Sequence, residues 1–203
     1  MTHILDWEAA LAIYGADLAP ARNSLSEATQ ATFCLFASTA LAGGGIGMTS
    51  RGGDHAECRL IASNFWPHIE QAMSRSDAAG KSLSFLLAIN RTPCARCARV
   101  LAGALQDVRS KYPSASKHEF VMAALGYYQG KAFMREAEMS PFARLKRFPA
   151  PSQKGDPDLR YSDSVTTDRG LREMINVGWK CRVLTFGDMT PRGAEYLNFL
   201  ASH

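Results

Sequence analysis

The fold of this 203-residue chain is decided by two stretches, His55-Ala56-Glu57 and Pro93-Cys94-Ala95-Arg96-Cys97. The second stretch begins 36 residues after Glu57. One imidazole and two thiolates are good zinc ligands, and a catalytic zinc ion characteristically keeps three protein ligands and leaves its fourth position to water. His55, Cys94 and Cys97 are therefore the candidate zinc ligands. Glu57 is the candidate proton-transfer carboxylate beside that water, so the sequence predicts one zinc ion with an open coordination position.

Both stretches lie at the starts of predicted helices. Apolar residues recur at three- and four-residue spacing after His55, which predicts a helix that ends near Gly80. Pro93 stands at a favourable first-turn position for a second helix that continues to Tyr112. Helix N-termini carry unpaired N–H groups and the positive end of the helix dipole, and both favour a thiolate over a thiol. We therefore expect the two helix starts to converge on one ion.

Strands and helices alternate through the rest of the chain. Residue spacing and turn residues predict a helix over 5–18, a short helical turn at 24–27, strands over 31–39, 82–89, 120–125 and 181–186, a glycine-rich hairpin over 40–53, a polar helical stretch to 145, a linker over 149–158, a helix over 168–177 and a helix from Pro191. A longer helix over 24–41 also fits the sequence.

This alternation predicts an α/β protein with a three-layer α/β/α sandwich and a mixed sheet of about five strands. The connection between the last two strands contains helices and exceeds what a hairpin needs, so those strands are expected to be parallel. We expect a helical extension at 1–30, a zinc-binding domain at 31–187 and a C-terminal helix at 188–203 that packs on the same domain.

Composition favours a cytosolic globular protein. Apolar residues make up 46% and charged residues 21% of the chain, and no run of about 18 apolar residues could span a bilayer. Acidic residues interrupt the N-terminal region, so no signal peptide and no membrane partner are predicted. The odd count of five cysteines indicates a reducing compartment, with Cys34 and Cys181 as buried packing residues.

A closed site is the alternative arrangement of the same ligands. Cys58 stands three residues after His55, and together with Cys94 and Cys97 it would complete a site of three cysteines and one histidine that only holds a fold together. Glu57 and Pro93 would then have no role in the site. The open arrangement accounts for both residues, whereas Cys58 could equally be a core thiol.

The two stretches together form the pattern H-x-E…P-C-x-x-C, and by this pattern the chain resembles the cytidine deaminase superfamily. That superfamily includes free cytidine deaminases, tRNA adenosine deaminases, polynucleotide cytosine deaminases and bacterial deaminase toxins. The resemblance covers the order of elements over about 32–186, although only the two motifs are specific. It implies that His55, Cys94 and Cys97 bind zinc and that Glu57 shuttles protons during hydrolytic removal of an amine.

The resemblance also indicates the substrate. Parallel final strands are typical of the branch that acts on tRNA and polynucleotides, whereas free-nucleoside deaminases commonly have a hairpin there. Tyr127 and Tyr128 follow the strand where polynucleotide relatives place aromatic residues against a base, although the rings could instead pack the strand end. Arg91 and Thr92 border the pocket, and Thr92 could alternatively cap the following helix. Candidate substrate-binding residues are Ala56, Arg91, Thr92, Pro93, Tyr127 and Tyr128.

Positive charge is concentrated in one segment. Residues 131–154 hold six basic and two acidic side chains, and this excess equals the net charge of +4 for the whole chain. Arg144, Lys146 and Arg147 could follow a phosphate backbone, or they could form an ordinary solvated helix face.

The phrase Asn90-Arg91-Thr92-Pro93-Cys94 looks like that of bacterial toxin-type deaminases, which are usually parts of larger secreted polypeptides. An excised toxin domain would imply an immunity protein as partner and action in the cytoplasm of a target cell. The leading hypothesis is deamination of cytosine to uracil in nucleic acid, with single-stranded DNA ahead of RNA as partner. The alternatives are adenosine deamination in RNA or tRNA, deamination of a free base, nucleoside or nucleotide, and a non-catalytic zinc-stabilised binding module.

Overall fold

The structure, a computed structural model, describes residues 3–26, 32–41, 44–51, 54–128 and 164–203. Six strands in these ranges form one mixed sheet in the order β1-β6-β5-β4-β2-β3. Strands β1, β6, β5 and β4 run parallel to one another, whereas β2 is antiparallel to both β4 and β3. The strand bounds are β1 Ile4–Asp6, β2 Phe33–Ser38, β3 Ile46–Thr49, β4 Ser84–Ile89, β5 Glu119–Ala124 and β6 Trp179–Thr185.

Seven α-helices accompany this sheet within the described ranges. Their bounds are α1 Trp7–Tyr14, α2 Ala21–Ser26, α3 Ala56–Ser63, α4 Phe65–Ala79, α5 Ala95–Lys111, α6 Ser164–Asn176 and α7 Pro191–Ala201. Two short 3-10 turns follow α1 and α5, at Ala16–Leu18 and Pro113–Lys117.

The two faces of the sheet bury different sets of helices. Successive strand residues point to opposite faces, so Leu86 and Leu87 on β4 belong to separate apolar clusters. Buried side chains of α3 to α7 pack with Leu87, and those of α1 and α2 pack with Leu86. This arrangement confirms the three-layer α/β/α sandwich. The N-terminal residues supply its second helical layer.

The sheet has six strands and not the predicted five, because β1 joins it beside β6. The helix predicted over 5–18 begins only at Trp7, where the Asp6 side chain caps it by accepting the backbone N–H of Glu8 at 3.0 Å. The residues before this cap pair with β6, and Ile4 lies opposite Val183. Short strands of this kind carry little periodic signal of their own.

The helix predicted from His55 to Gly80 is divided at Asn64 into α3 and α4. Pro67 provides the physical reason: it lacks the N–H that would bond to the Ser63 carbonyl, and its ring crowds that carbonyl. Gly80 ends α4 as predicted, with a left-handed φ of 64° and its N–H bonded to the Ser76 carbonyl.

Other predictions on the fold have clear outcomes. The last two strands are parallel, with Met122 opposite Cys181. Residues 33–38 form a strand, so the alternative of one long helix over 24–41 is wrong. Cys34 and Cys181 are buried as expected. The polar helical stretch to 145 and the linker over 149–158 lie outside the described residues. Within the ranges given above, every helix is too short or too polar to cross a bilayer.

Candidate metal centre

Two helix starts meet beside the carboxyl end of β4. His55 is the N-cap of α3, and Cys94 is the N-cap of α5. Both residues have extended backbones, and neither side chain caps its own helix by a hydrogen bond. Cys97 lies in the first turn of α5. The sequence predicted Pro93 in the first turn of this helix. It instead lies one residue before the N-cap of α5.

The side chains of His55, Cys94 and Cys97 form a potential metal-ligand group. Their ligand atoms all lie within 4.8 Å of one another. His55 Nδ1 lies 3.4 Å from Cys94 Sγ and 3.2 Å from Cys97 Sγ. Tetrahedral zinc with ordinary bond lengths would separate a sulfur from a nitrogen by about 3.5 Å. The group is therefore compatible with one zinc ion.

The three candidate ligands influence one another's pKa values in different directions. A hydrogen bond with the Cys97 thiol, assisted by one with His55, lowers the pKa of Cys94 to about 4. The hydrogen bond to Cys94 raises the pKa of His55 to about 9. Side-chain hydrogen bonds with Cys58 and Cys94 raise the pKa of the Cys97 thiol. Zinc binds a neutral imidazole and thiolates, so its binding would release protons from His55 and Cys97, whose pKa values are raised.

Glu57 stands beside this group as a buried carboxylate. It is the second residue of α3 and only 2% exposed, and its Oε2 atom has no hydrogen-bond partner among the described residues. Burial raises the pKa of Glu57 from 4.5 to about 7, and the negative charge of Cys94 adds to this effect. A buried polar atom without a hydrogen-bond partner destabilises a fold, which marks the Glu57 carboxylate as a candidate for a functional role. A pKa near neutrality suits a group that both accepts and returns a proton.

Cys58 touches the ligand group from one side. Its Sγ atom lies 3.7 Å from Cys97 Sγ. The set of ligand atoms that lie within 4.8 Å of one another contains His55, Cys94 and Cys97 but not Cys58, in the part of the chain that the structure describes. A fourth tetrahedral ligand would have to be close to all three. This geometry favours the open site over the closed one.

The loop before α5 and the loop after β5 are tied together. Thr92 is 1% exposed, and its hydroxyl oxygen accepts the backbone N–H of Tyr128 at 2.7 Å. The Thr92 N–H donates to the Gly126 carbonyl at 2.8 Å. Thr92 therefore positions Tyr128 relative to the cysteines.

The two tyrosines have different surroundings. Tyr127 is 7% exposed, packs against Tyr196 and Phe199, and donates its hydroxyl to Asp168 Oδ1. Tyr128 is half-buried. Burial raises the pKa of the Tyr128 phenol, and the charge of Cys94 raises it further. Tyr128 is thus the more exposed of the two tyrosines.

The other predicted substrate residues surround the same centre. Ala56 and Pro93 are buried, and Arg91 is half-buried close enough to Tyr128 to influence its pKa. Arg144, Lys146 and Arg147 lie outside the described residues.

Two residues that support the site were missed as such by sequence reasoning. Asp168, near the start of α6, holds the Tyr127 hydroxyl. Asn90 accepts the Phe33 N–H through Oδ1 at 3.2 Å and donates its own N–H to the Phe33 carbonyl at 3.2 Å, which fixes the loop before Pro93 to β2. The polar residue at the end of an apolar strand was the available signal for Asn90, whereas Asp168 had none.

A scan of the sequence against protein-family models finds no match, and a search of the curated proteins also finds no similar sequence.

Proposed function

We propose that the protein is a zinc-dependent hydrolytic deaminase that converts cytosine to uracil in nucleic acid, with single-stranded DNA as the favoured substrate. The observation that carries the proposal is the pairing of a three-residue metal-ligand group with a buried carboxylate, Glu57, whose Oε2 atom has no hydrogen-bond partner among the described residues. A zinc site that only stabilises a fold uses four ligands and has no need of such an acid.

The residues divide the chemistry between them. His55, Cys94 and Cys97 would hold a zinc ion, which when bound lowers the pKa of water at the site toward ~7. Glu57 would accept one proton from the attacking water and deliver it to ring nitrogen N3, and would then carry the remaining hydroxyl proton to the amino group that departs as ammonia. Carbon C4 of the base gains a bond to oxygen and loses its bond to nitrogen, so cytosine and water give uracil and ammonia. The buried position of Glu57 keeps bulk water from competing for its proton.

Two features support a polymeric substrate. The parallel pairing of β5 and β6 is the arrangement of the deaminase branch that acts on polynucleotides and tRNA. The half-buried Tyr128 phenol near the cysteines could stack on an unpaired base, and such stacking contributes about 1–3 kcal/mol. Extrusion of a paired base costs a few kcal/mol, so a single strand should react faster than a duplex.

The sequence from Asn90 to Cys94 supports a further proposal: the chain is a toxin-type deaminase domain, and an immunity protein is its partner. Expression of the chain in a bacterial host, alone or together with the product of a neighbouring gene, would test this by cell viability. Loss of viability on expression of the parent, but not of Glu57→Gln, is the expected result.

The central experiment compares the parent with Glu57→Gln, which keeps the shape of the side chain and removes its acid. Each protein is incubated with single-stranded DNA, duplex DNA, RNA and free nucleosides. The polymers are sequenced for C-to-T and A-to-G changes, the nucleosides are assayed for ammonia, and zinc is measured by elemental analysis. We expect C-to-T changes with the parent only, together with about one zinc per chain in both proteins.

Each other outcome selects an alternative. A-to-G changes in RNA would favour an adenosine deaminase, and ammonia from nucleosides alone would remove the polymer hypothesis. Full zinc content with no conversion of any substrate would indicate a binding module. Parental activity in Glu57→Gln would refute the assigned role of that carboxylate.

A further inference from the structure

We propose that Cys58 and Cys97 form a redox pair, in which a hydroperoxide oxidises the two thiols to a disulfide and so removes Cys97 from the metal-ligand group. The proposal rests on the zinc site of the proposed function and adds a means of regulating it.

The geometry of the four sulfur and nitrogen groups carries this inference. Cys58 Sγ lies 3.7 Å from Cys97 Sγ, whereas Cys58 is not a member of the group formed by His55, Cys94 and Cys97. The thiol is therefore in contact with a ligand without being placed as one. Helices α3 and α5, which carry the two cysteines, pack directly on each other.

The two thiols also differ in access to solvent. Cys58 is half-buried, and Cys97 is fully buried. A small oxidant can therefore reach Cys58 first, and Cys97 lies behind it as the resolving thiol. A disulfide has a sulfur–sulfur bond of about 2.05 Å, so the two atoms, now 3.7 Å apart, must approach by about 1.7 Å.

The reaction balances with one hydroperoxide. The Cys58 sulfur attacks the peroxide, the O–O bond breaks, and Cys58 becomes a sulfenic acid while one water or alcohol leaves. The Cys97 sulfur then attacks the Cys58 sulfur, the S–O bond breaks, and the oxygen departs as water after taking a proton. The two thiols lose two electrons, and the peroxide gains them. A dithiol reductant reverses the oxidation.

Loss of Cys97 leaves His55 and Cys94 as the remaining ligands of the group. A site with two protein ligands binds zinc more weakly than a site with three, so formation of the disulfide should release the ion. The disulfide also joins α3 to α5 across the site beside Glu57. Oxidation would thus inactivate the protein without disturbing the apolar core.

Trypsin can locate the cross-link because arginines separate the three cysteines of the site. Cleavage after Arg51, Arg59, Arg91, Arg96 and Arg99 places Cys58 in peptide 52–59, Cys94 in 92–96 and Cys97 in 97–99. The zinc-loaded parent, Cys58→Ser and Cys181→Ser are treated with equal amounts of hydrogen peroxide. Zinc release is followed with a colorimetric chelator, and unreduced digests are examined by mass spectrometry. Cys181 is buried on β6 outside the metal-ligand group, so Cys181→Ser is the matched control.

We expect the parent and Cys181→Ser to release zinc and to yield peptide 52–59 joined to 97–99. Cys58→Ser should release zinc roughly tenfold more slowly, because the more accessible thiol of the pair is missing. A dithiol should restore zinc binding to the oxidised parent. Equal rates of zinc release in Cys58→Ser and parent would overturn the proposal, and so would a digest in which 92–96 is joined to 97–99 instead. Failure of Cys58→Ser to bind zinc would also overturn it, because Cys58 would then be a fourth ligand.

These readouts do not depend on deamination. The 58–97 cross-link without conversion of any nucleobase would refute the proposed function and leave the redox pair standing. Conversion of cytosine by a parent protein that never forms the cross-link would have the opposite meaning.

Discussion

Gly170 offers a sharp test of how closely α6 packs against the helix that carries the cysteines. A Cβ atom at Gly170 would lie 2.8 Å from the Ala98 Cβ and 3.1 Å from the Ala95 Cα. Carbon atoms normally approach to about 3.5–4.0 Å, so Gly170→Ala must push the two helices apart by roughly 0.5–1 Å. Both neighbouring atoms belong to small residues that cannot rotate away. The displaced turn of α5, residues 95–98, contains Cys97 and follows Cys94 directly.

The magnitude follows from two opposing effects. Replacing a helical glycine with alanine stabilises a helix by about 1 kcal/mol, whereas overpacking a dense contact costs about 1–3 kcal/mol. We therefore expect Gly170→Ala to lower the free energy of unfolding by about 0–2 kcal/mol. Gly103 is the matched control, because it lies within α5 and a Cβ there would have no neighbour within 4 Å. Gly103→Ala should raise the free energy of unfolding by about 1 kcal/mol.

The assay is urea denaturation of both variants and the parent, together with zinc affinity by competition with a chelator. The two variants should differ in stability by about 1–3 kcal/mol, and only Gly170→Ala should weaken zinc binding. If Gly170→Ala is as stable as Gly103→Ala, then α6 and α5 do not approach each other as the structure has them.

Further predictions concern pH, the Thr92 hydroxyl and the metal. Burial lowers the pKa of His68 from 6.5 to about 4. Between these two pH values the imidazole is protonated in the unfolded chain and neutral in the folded protein. The free energy of unfolding should fall by at most about 3 kcal/mol as pH drops from 6.5 to 4, and this part of the loss should be missing in His68→Gln; identical pH profiles would contradict it. Thr92→Val leaves the Tyr128 N–H without its acceptor and should cost about 1–3 kcal/mol in urea denaturation, whereas Thr92→Ser should cost much less. Equal losses in the two variants would show that the hydroxyl does not matter. A chelator should lower the Tm of the zinc-loaded parent but not that of His55→Ala. At a free zinc concentration of a hundred times the Kd, zinc binding should raise the free energy of unfolding by about 2.7 kcal/mol. An unchanged parental Tm would argue against a bound metal.

The parts of the fold that sequence could predict are those with local causes. The starts of α3 and α5 follow from apolar periodicity after His55 and Cys94, and the parallel pairing of β5 with β6 follows from the long helical connection between them. β1 could not be predicted in this way. Its three residues are extended because they pair with β6, and a pairing partner so far along the chain leaves no local pattern.

In the site, too, the features with local causes could be predicted from the sequence, whereas those that depend on helix packing could not. Spacing within each motif indicated which side chains could bind a metal, because His55, Cys94 and Cys97 act at helix starts that periodicity reveals. It did not indicate that Cys58 lies 3.7 Å from Cys97, since that distance depends on how α3 rotates against α5. The Tyr127 bond to Asp168 likewise depends on the packing of α6, which follows a stretch without regular apolar spacing.

The pairing of β1 with β6 also has a consequence for the order of folding. Asp6 accepts a hydrogen bond from Thr185, 179 positions later in the chain, at 3.4 Å. During synthesis the N-terminus leaves the ribosome first. Strand β1 therefore has no partner until β6, the last of the described strands, has been made. The sheet from β2 to β5 can assemble earlier, whereas docking of β1 must wait for β6 and closes a very long loop. We therefore expect β1 to be among the last elements to gain protection from hydrogen exchange during refolding.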